Sequence, residues 1–277
     1  MQHLPGILYR PAGGTFVKVT LAITYHDPAG HLSGQIERVL PVLTAVFAGL
    51  AVQASSRANE QSLALFTRTG ALVQREPAAQ LSERPKLGRA RREAISLALQ
   101  LEMPSVLYCD GDRVLHWAER YPEELGQVVG QLGRYDLTVL GRTAHAFHSH
   151  PRVQRDTEAL VNDVFRMVSG YDWDVMAAAR GLSRQAVEAI LHGCPDEEIS
   201  TDVSWPLYLQ SVGGFSLGYI AVEGLEFESA AGCGEEIAAA GGYQAWLQQR
   251  DANWERWARR LEIARTHVEA MIPFSKD

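Results

Sequence analysis

The chain has 277 residues, 46% of them apolar and 21% charged, enough to bury a full α/β core as one globular unit. Its 33 acidic and 26 basic residues leave a net charge of −7, which argues against the broad basic surface of a nucleic-acid-binding protein. No apolar run of about 18 residues is found, and the start lacks a basic segment followed by a long apolar one, so neither a spanning helix nor export is expected. An amphipathic helix could still dock on a membrane surface. Cys109, Cys194 and Cys233 are far apart and form no CxxC pair, so a reducing cytoplasm is the expected compartment.

Residues 16–25 are β-branched and mostly apolar, which predicts a first strand covered on both faces. The turn-forming cluster His26-Asp27-Pro28-Ala29-Gly30 ends it, and Ile36, Val39, Leu40, Leu43 and Val46 then recur at helical spacing. Apolar segments at 47–53 and 63–66 flank a polar stretch from Ser55 to Glu60 and predict a second strand and the start of its helix. The charged, proline-bearing run 76–87 reads as a loop, and Leu87 to Ala94 opens a helix reaching about residue 101. Pro104 precedes a strand over Ser105 to Cys109 that ends in Asp110-Gly111-Asp112. Helices over 113–120 and from Pro122 to about Leu132 follow, then a buried strand over 135–140. Strands and helices alternating at this length predict an α/β fold with a doubly wound, mostly parallel sheet.

The second half reads differently. Residues 156–191 are predicted mainly helical, interrupted at Gly170 and Gly181, with Ser183 as an N-cap. Residues 213–228 alternate well enough for one or two strands. A last helix spans about 235–271 with a break at Gly241-Gly242. It carries Trp246, Trp254, Trp257, Leu261 and Val268 on one side, to pack on the body or on a second subunit of a homodimer. No internal repeat is found.

Asp110 and Asp112 follow a buried strand and project to the carboxyl edge of the sheet, where open α/β folds bind ligands. Their hard oxygens suit Mg2+ or Mn2+, which would neutralise charge on a nucleotide diphosphate, and Gly111 would let that diphosphate approach. The bland alternative is an ordinary Asp-Gly-Asp turn. Arg89, Arg91 and Arg92 fit phosphate recognition, with Arg89 and Arg92, three apart, able to share a helix side. His145, His148 and His150 form His-x-x-His-x-His in a predicted loop, either as polar loop residues or as an independent zinc site.

The order Thr24-Tyr25-His26-Asp27, Gly88 to Arg92, and Asp110-Gly111-Asp112 resembles the GT-A fold glycosyltransferases over residues 17–142, and reaches to Trp205 more weakly. That resemblance implies a nucleotide-sugar-binding half over 1–150 and a helical acceptor-side region over 151–277 of the same globular unit. It implies that Tyr25 and Asp27 hold the nucleobase, that Gly88, Arg89 and Arg92 lie near ribose and diphosphate, and that Asp110 and Asp112 hold the metal. His148 would complete the metal shell, as a histidine does in retaining relatives that glycosylate glycerate or phosphoglycerate. Asp202, within Thr201-Asp202-Val203-Ser204-Trp205-Pro206, matches in order the acidic motif that supplies the general base in inverting members; its bland alternative is a helix N-cap. The implied activity is metal-dependent transfer of a sugar from a nucleotide-diphosphate donor to a small or lipid-linked acceptor. Two departures stand out: Ile23 takes the place of a proline before Thr24-Tyr25, and Ser55-Ser56 replaces an acidic turn after the second strand. Nucleotidyl transfer on the same fold and non-catalytic nucleotide-sugar binding are the rival readings, although the lack of a glycine-rich loop after the first strand counts against the former.

Overall fold

The structure, a computed structural model, describes residues 18–77, 86–228 and 233–275. Residues 16 and 17 of the first predicted strand and most of the 76–87 loop lie outside the described residues. The strands are β1 (Val19–Tyr25), β2 (Gly49–Ala54), β3 (Leu72–Arg75), β4 (Ser105–Asp110), β5 (Leu137–Arg142), β6 (Ala179–Ser183) and β7 (Leu217–Val222). The helices are α1 (Ser33–Val46), α2 (Glu60–Arg68), α3 (Leu87–Leu99), α4 (Gly111–Arg120), α5 (Pro122–Val129), α6 (Ala144–Ser149), α7 (Arg152–Ser169), α8 (Arg184–Gly193), α9 (Thr201–Val212), α10 (Gly234–Ala239), α11 (Tyr243–Ala252) and α12 (Trp254–Met271).

The strands form one sheet in the order β3-β2-β1-β4-β6-β5-β7. Only β6 runs against its neighbours. Side chains alternate across the pleat, so Leu21, Ile23 and Tyr25 of β1 enter one core with α1, α2, α4 and α5. Ala22, with Val106 and Tyr108 of β4, enters a second core with α3, α8, α9 and parts of α7 and α12. Both faces are covered, which is why the early strands read as continuous apolar runs.

The chain leaves β1 to one side to make β2 and β3, then crosses to the other side to make β4. That reversal is a topological switch point, and it opens a crevice at the carboxyl ends of β1 and β4.

The second half departs from the sequence reading in several places. Residues 179–183 were expected inside a helical stretch interrupted at Gly181, but they form β6, wedged between β4 and β5. Ala179-Arg180-Gly181 has little intrinsic strand preference, so its state is set by the two strands that flank it. At Gly181 a Cβ would stand 2.4 Å from a Leu132 methyl carbon, so any larger residue would push that side chain aside. The four-residue edge strand β3 was not predicted. The histidine segment expected as a loop is the short helix α6, with Thr143 as its N-cap. The single last helix is three: α10, α11 and α12. Its tryptophans do not share a face, since Trp246 is 3% exposed and Trp254 is 81% exposed. Residues 213–228 supply one strand, β7.

Candidate active site

A cleft of about 560 Å3 lies at the carboxyl ends of β1, β2 and β4. Thr24, Tyr25 and His26 border it from β1, Gln53 to Arg57 from β2, and Asp110, Gly111 and Asp112 from β4, with Lys86, Leu87 and Ala90 from the start of α3. The two aspartates do different work there. Asp110 Oδ1 accepts from Thr24 Oγ1 at 3.1 Å and from the Tyr108 hydroxyl, while Oδ2 accepts from Arg91 Nη2 at 3.1 Å. Asp112 sits in the first turn of α4, opens on the cleft, and among the described residues accepts only the local N–H of Arg113, at 2.9 Å. The protein around it, with the carboxylates of Glu228 and Asp110, pushes the Asp112 carboxyl above the ordinary aspartate range, against the opposing pull of Arg113.

Gly111 has a structural reason to lack a side chain: a Cβ there would stand 2.7 Å from the Thr24 carbonyl oxygen. The glycine thus permits the close approach of β1, and it also lines the cleft.

Arg91, grouped in the sequence with Arg89 and Arg92 as a phosphate-recognising arginine, is instead the buried centre of the site. It is 2% exposed, and its Nη1 reaches Asp202 Oδ2 and Thr201 Oγ1, each at 3.0 Å, while Nη2 reaches Asp110. Burial opposes its charge, but Asp110 and Asp202 beside it hold the guanidinium well above its ordinary value. A signal for it exists in the sequence: Arg91, Ala94, Ile95 and Ala98 fall at i, i+3, i+4 and i+7, so this arginine lies on the buried stripe of α3.

The other candidate residues are placed as follows. Tyr25 is buried with its ring edge-on to Phe66, and its hydroxyl donates to Asp27 Oδ2 at 3.1 Å. Asp27 also accepts the backbone N–H groups of His31 and Leu32, so its carboxylate ties down the loop that leads into α1. At Gly88 a Cβ would stand 2.0 Å from the Glu198 carbonyl oxygen; the glycine lets α3 pack against the 197–198 backbone. Arg89 pairs with Glu76 of the cleft wall at 3.5 Å. Arg92 turns away and donates to the carbonyls of Ile190, Leu191 and Cys194, capping the end of α8. Arg89 and Arg92 thus engage different partners.

Asp202 is 5% exposed, with Arg91 at 3.0 Å, Arg180 at 3.5 Å and His267 at 3.6 Å around it. Burial alone would raise its carboxyl; Arg91, then His267 and Arg180, overcome that and hold it well below the usual carboxylate range. His145 pairs with Glu223, and exposed His148 bonds the Ala144 carbonyl through Nδ1 at 2.6 Å. Buried His150 bonds Ala146 at 3.0 Å. The three histidines thus have separate partners, and among the described residues no group of three or more His, Cys, Asp or Glu is gathered to hold a metal.

No family model matches the sequence, and no curated protein matches it. Solved structures do match. Glucosyl-3-phosphoglycerate synthase from Mycobacterium tuberculosis in complex with uridine diphosphate superposes with a TM-score of 0.51 at 14% identity, over 88% of this chain and 87% of that one. The same enzyme with Mn2+, UDP-glucose and glycerol 3-phosphate gives 0.50 at 14% identity, over 84% of each chain. Its complex with phosphoglyceric acid gives 0.50 at 13% identity, over 78% of this chain and 76% of that one. This chain has the GT-A glycosyltransferase fold. Within that fold, the cleft occupies the crevice where the strand order reverses. At 13–14% identity the likeness is one of fold, and the chemistry has to be argued from the side chains.

Proposed function

We propose that this chain is a glycosyltransferase that takes a sugar from a nucleotide-diphosphate donor bound in the cleft with Mg2+ or Mn2+. The observation that carries the reading is the cleft itself, placed at the switch point of a GT-A fold with the Asp112 carboxylate open to it. A divalent cation of this kind is held by one or two carboxylates plus substrate phosphates, so the donor set fits: Asp112 is exposed to the cleft, and Asp110 keeps about a fifth of its side chain exposed. When bound, the metal neutralises the charge that grows on the departing nucleoside diphosphate. Lys86 and Arg57, which also line the cleft, add positive charge beside the same group. In this reading Tyr25 and Asp27 shape the loop that borders the nucleoside, through their bond to each other and to the α1 entry. In this reading Asp202 serves as an anchor for Arg91, since it is 5% exposed and its carboxylate is engaged by Arg91 and Arg180.

Calorimetric titration of UDP-, GDP- and ADP-glucose with Mn2+ and with chelator tests this. Metal-dependent binding of at least one is expected, and no metal-dependent binding of any would sink the reading. The engagement of Asp202 by both Arg91 and Arg180 favours a second reading, a nucleotide-sugar-binding protein without turnover. Release of free nucleoside diphosphate from the bound donor, on adding candidate acceptors, separates the two.

A further inference from the structure

We propose that Arg91 is a positioning residue of the donor cleft: it holds the Asp110 carboxylate off the first turn of α4, leaving that turn open to the donor diphosphate and Asp112 open to its divalent cation. The inference rests on the glycosyltransferase reading above.

Asp110 is the N-cap of α4, with φ −62° and ψ 141°, the extended backbone usual for a cap, yet its side chain makes no capping bond. Aspartate is among the strongest capping residues, so this needs a cause. Three donors supply it. Thr24 and Tyr108 draw Oδ1 back over the sheet, and Arg91 draws Oδ2 the same way. Arg91 is itself fixed from the far side by Thr201 and Asp202 of α9, with 3% of its side chain exposed. It therefore cannot swing out with Asp110, and water cannot take its place. Gly111 and Asp112 line the cleft, so the first turn of this ten-residue helix, in which Asp112 takes the Arg113 N–H and Asp110 takes none, faces whatever binds there.

The test is a double-mutant cycle on UDP affinity in Mn2+, read by calorimetry in the wild type, Arg91→Met, Asp110→Ala and the double variant. If Arg91 acts through Asp110, Arg91→Met weakens UDP by roughly tenfold when Asp110 is present and by less than about twofold when it is absent. The same loss in both backgrounds, or no loss in either, overturns the inference and leaves the glycosyltransferase reading standing. A wild type that binds no UDP in Mn2+ or any other nucleotide sugar takes both down. Should Arg91→Met fail to fold, Arg91→Lys keeps the charge without the planar fork and runs through the same cycle. A role confined to holding the fold lowers the melting temperature but produces no coupling to Asp110 in ligand affinity.

Discussion

Asp110 and Asp112 are two residues apart and differ in almost everything that matters chemically. One carboxylate is held by three donors over the sheet; the other stands at a helix start with only its neighbour's N–H. Asp112→Asn is therefore expected to remove the Mn2+ dependence of UDP affinity while leaving the unfolding midpoint within about 0.5 kcal/mol of wild type, as measured by calorimetry and a urea melt. If UDP affinity in Mn2+ survives, Asp112 is not the metal carboxylate. Asp202→Ala should do the opposite kind of damage. It strands Arg91 and Arg180 without their shared carboxylate, and breaking a buried pair from one side costs about 3–5 kcal/mol. A urea midpoint unchanged by Asp202→Ala would contradict that account. At this scale the sequence marked Asp110, Asp112 and Asp202 as chemically interesting but could not distinguish their roles. The distinction depends on Arg91, which reaches across 19 residues to one aspartate and 111 to the other.

The elements that build the cleft were mostly legible. A helix opening at Leu87, a strand ending at Asp110 and a strand ending near Tyr25 all follow from apolar periodicity with clear breakers at the ends. What periodicity could not supply was the other side of each contact. Gly88 looked like a ligand-facing glycine, yet it is the contact of α3 with the 197–198 backbone, so Gly88→Ala should shift that loop and cost about 1–3 kcal/mol in a denaturant melt. Arg92 looked like a phosphate ligand but satisfies three carbonyls at the end of α8, where cations complement the helix dipole. Arg92→Ala is expected to destabilise by about 1.5–3 kcal/mol, the range for hydrogen bonds to a charged group, while leaving the UDP affinity of the folded protein unchanged. A loss of UDP affinity at full stability would return Arg92 to the binding site.

Across the whole molecule, buried ion pairs join the two halves. Arg142 of β5 is paired with Asp174 at 2.7 Å and with Glu158 of α7 at 2.7 Å, and the Asp174 carboxyl lies well below its ordinary range because Arg142 and Asn162 outweigh the effect of burial. A carboxyl depressed in the fold contributes stability that is complete above its unfolded value and lost as pH falls through the folded one. The contribution of Asp174 to the melting temperature should therefore be constant from neutrality down to about pH 5 and be lost below about pH 4, the unfolded aspartate value. Asp174→Asn should flatten that acid limb, and an unchanged limb would show that other groups set it.

By itself the sequence determined the class of architecture and the place of the cleft, because buried parallel strands and the turns that end them are written in local patterns of apolar and breaker residues. Only the tertiary structure decided that 179–183 is a strand, that Arg91 joins Asp110 to Asp202, and that Gly88 and Arg92 serve packing. Each of these depends on a partner distant along the chain. A residue's own neighbours in sequence carry little information about a contact that exists only once the sheet has closed.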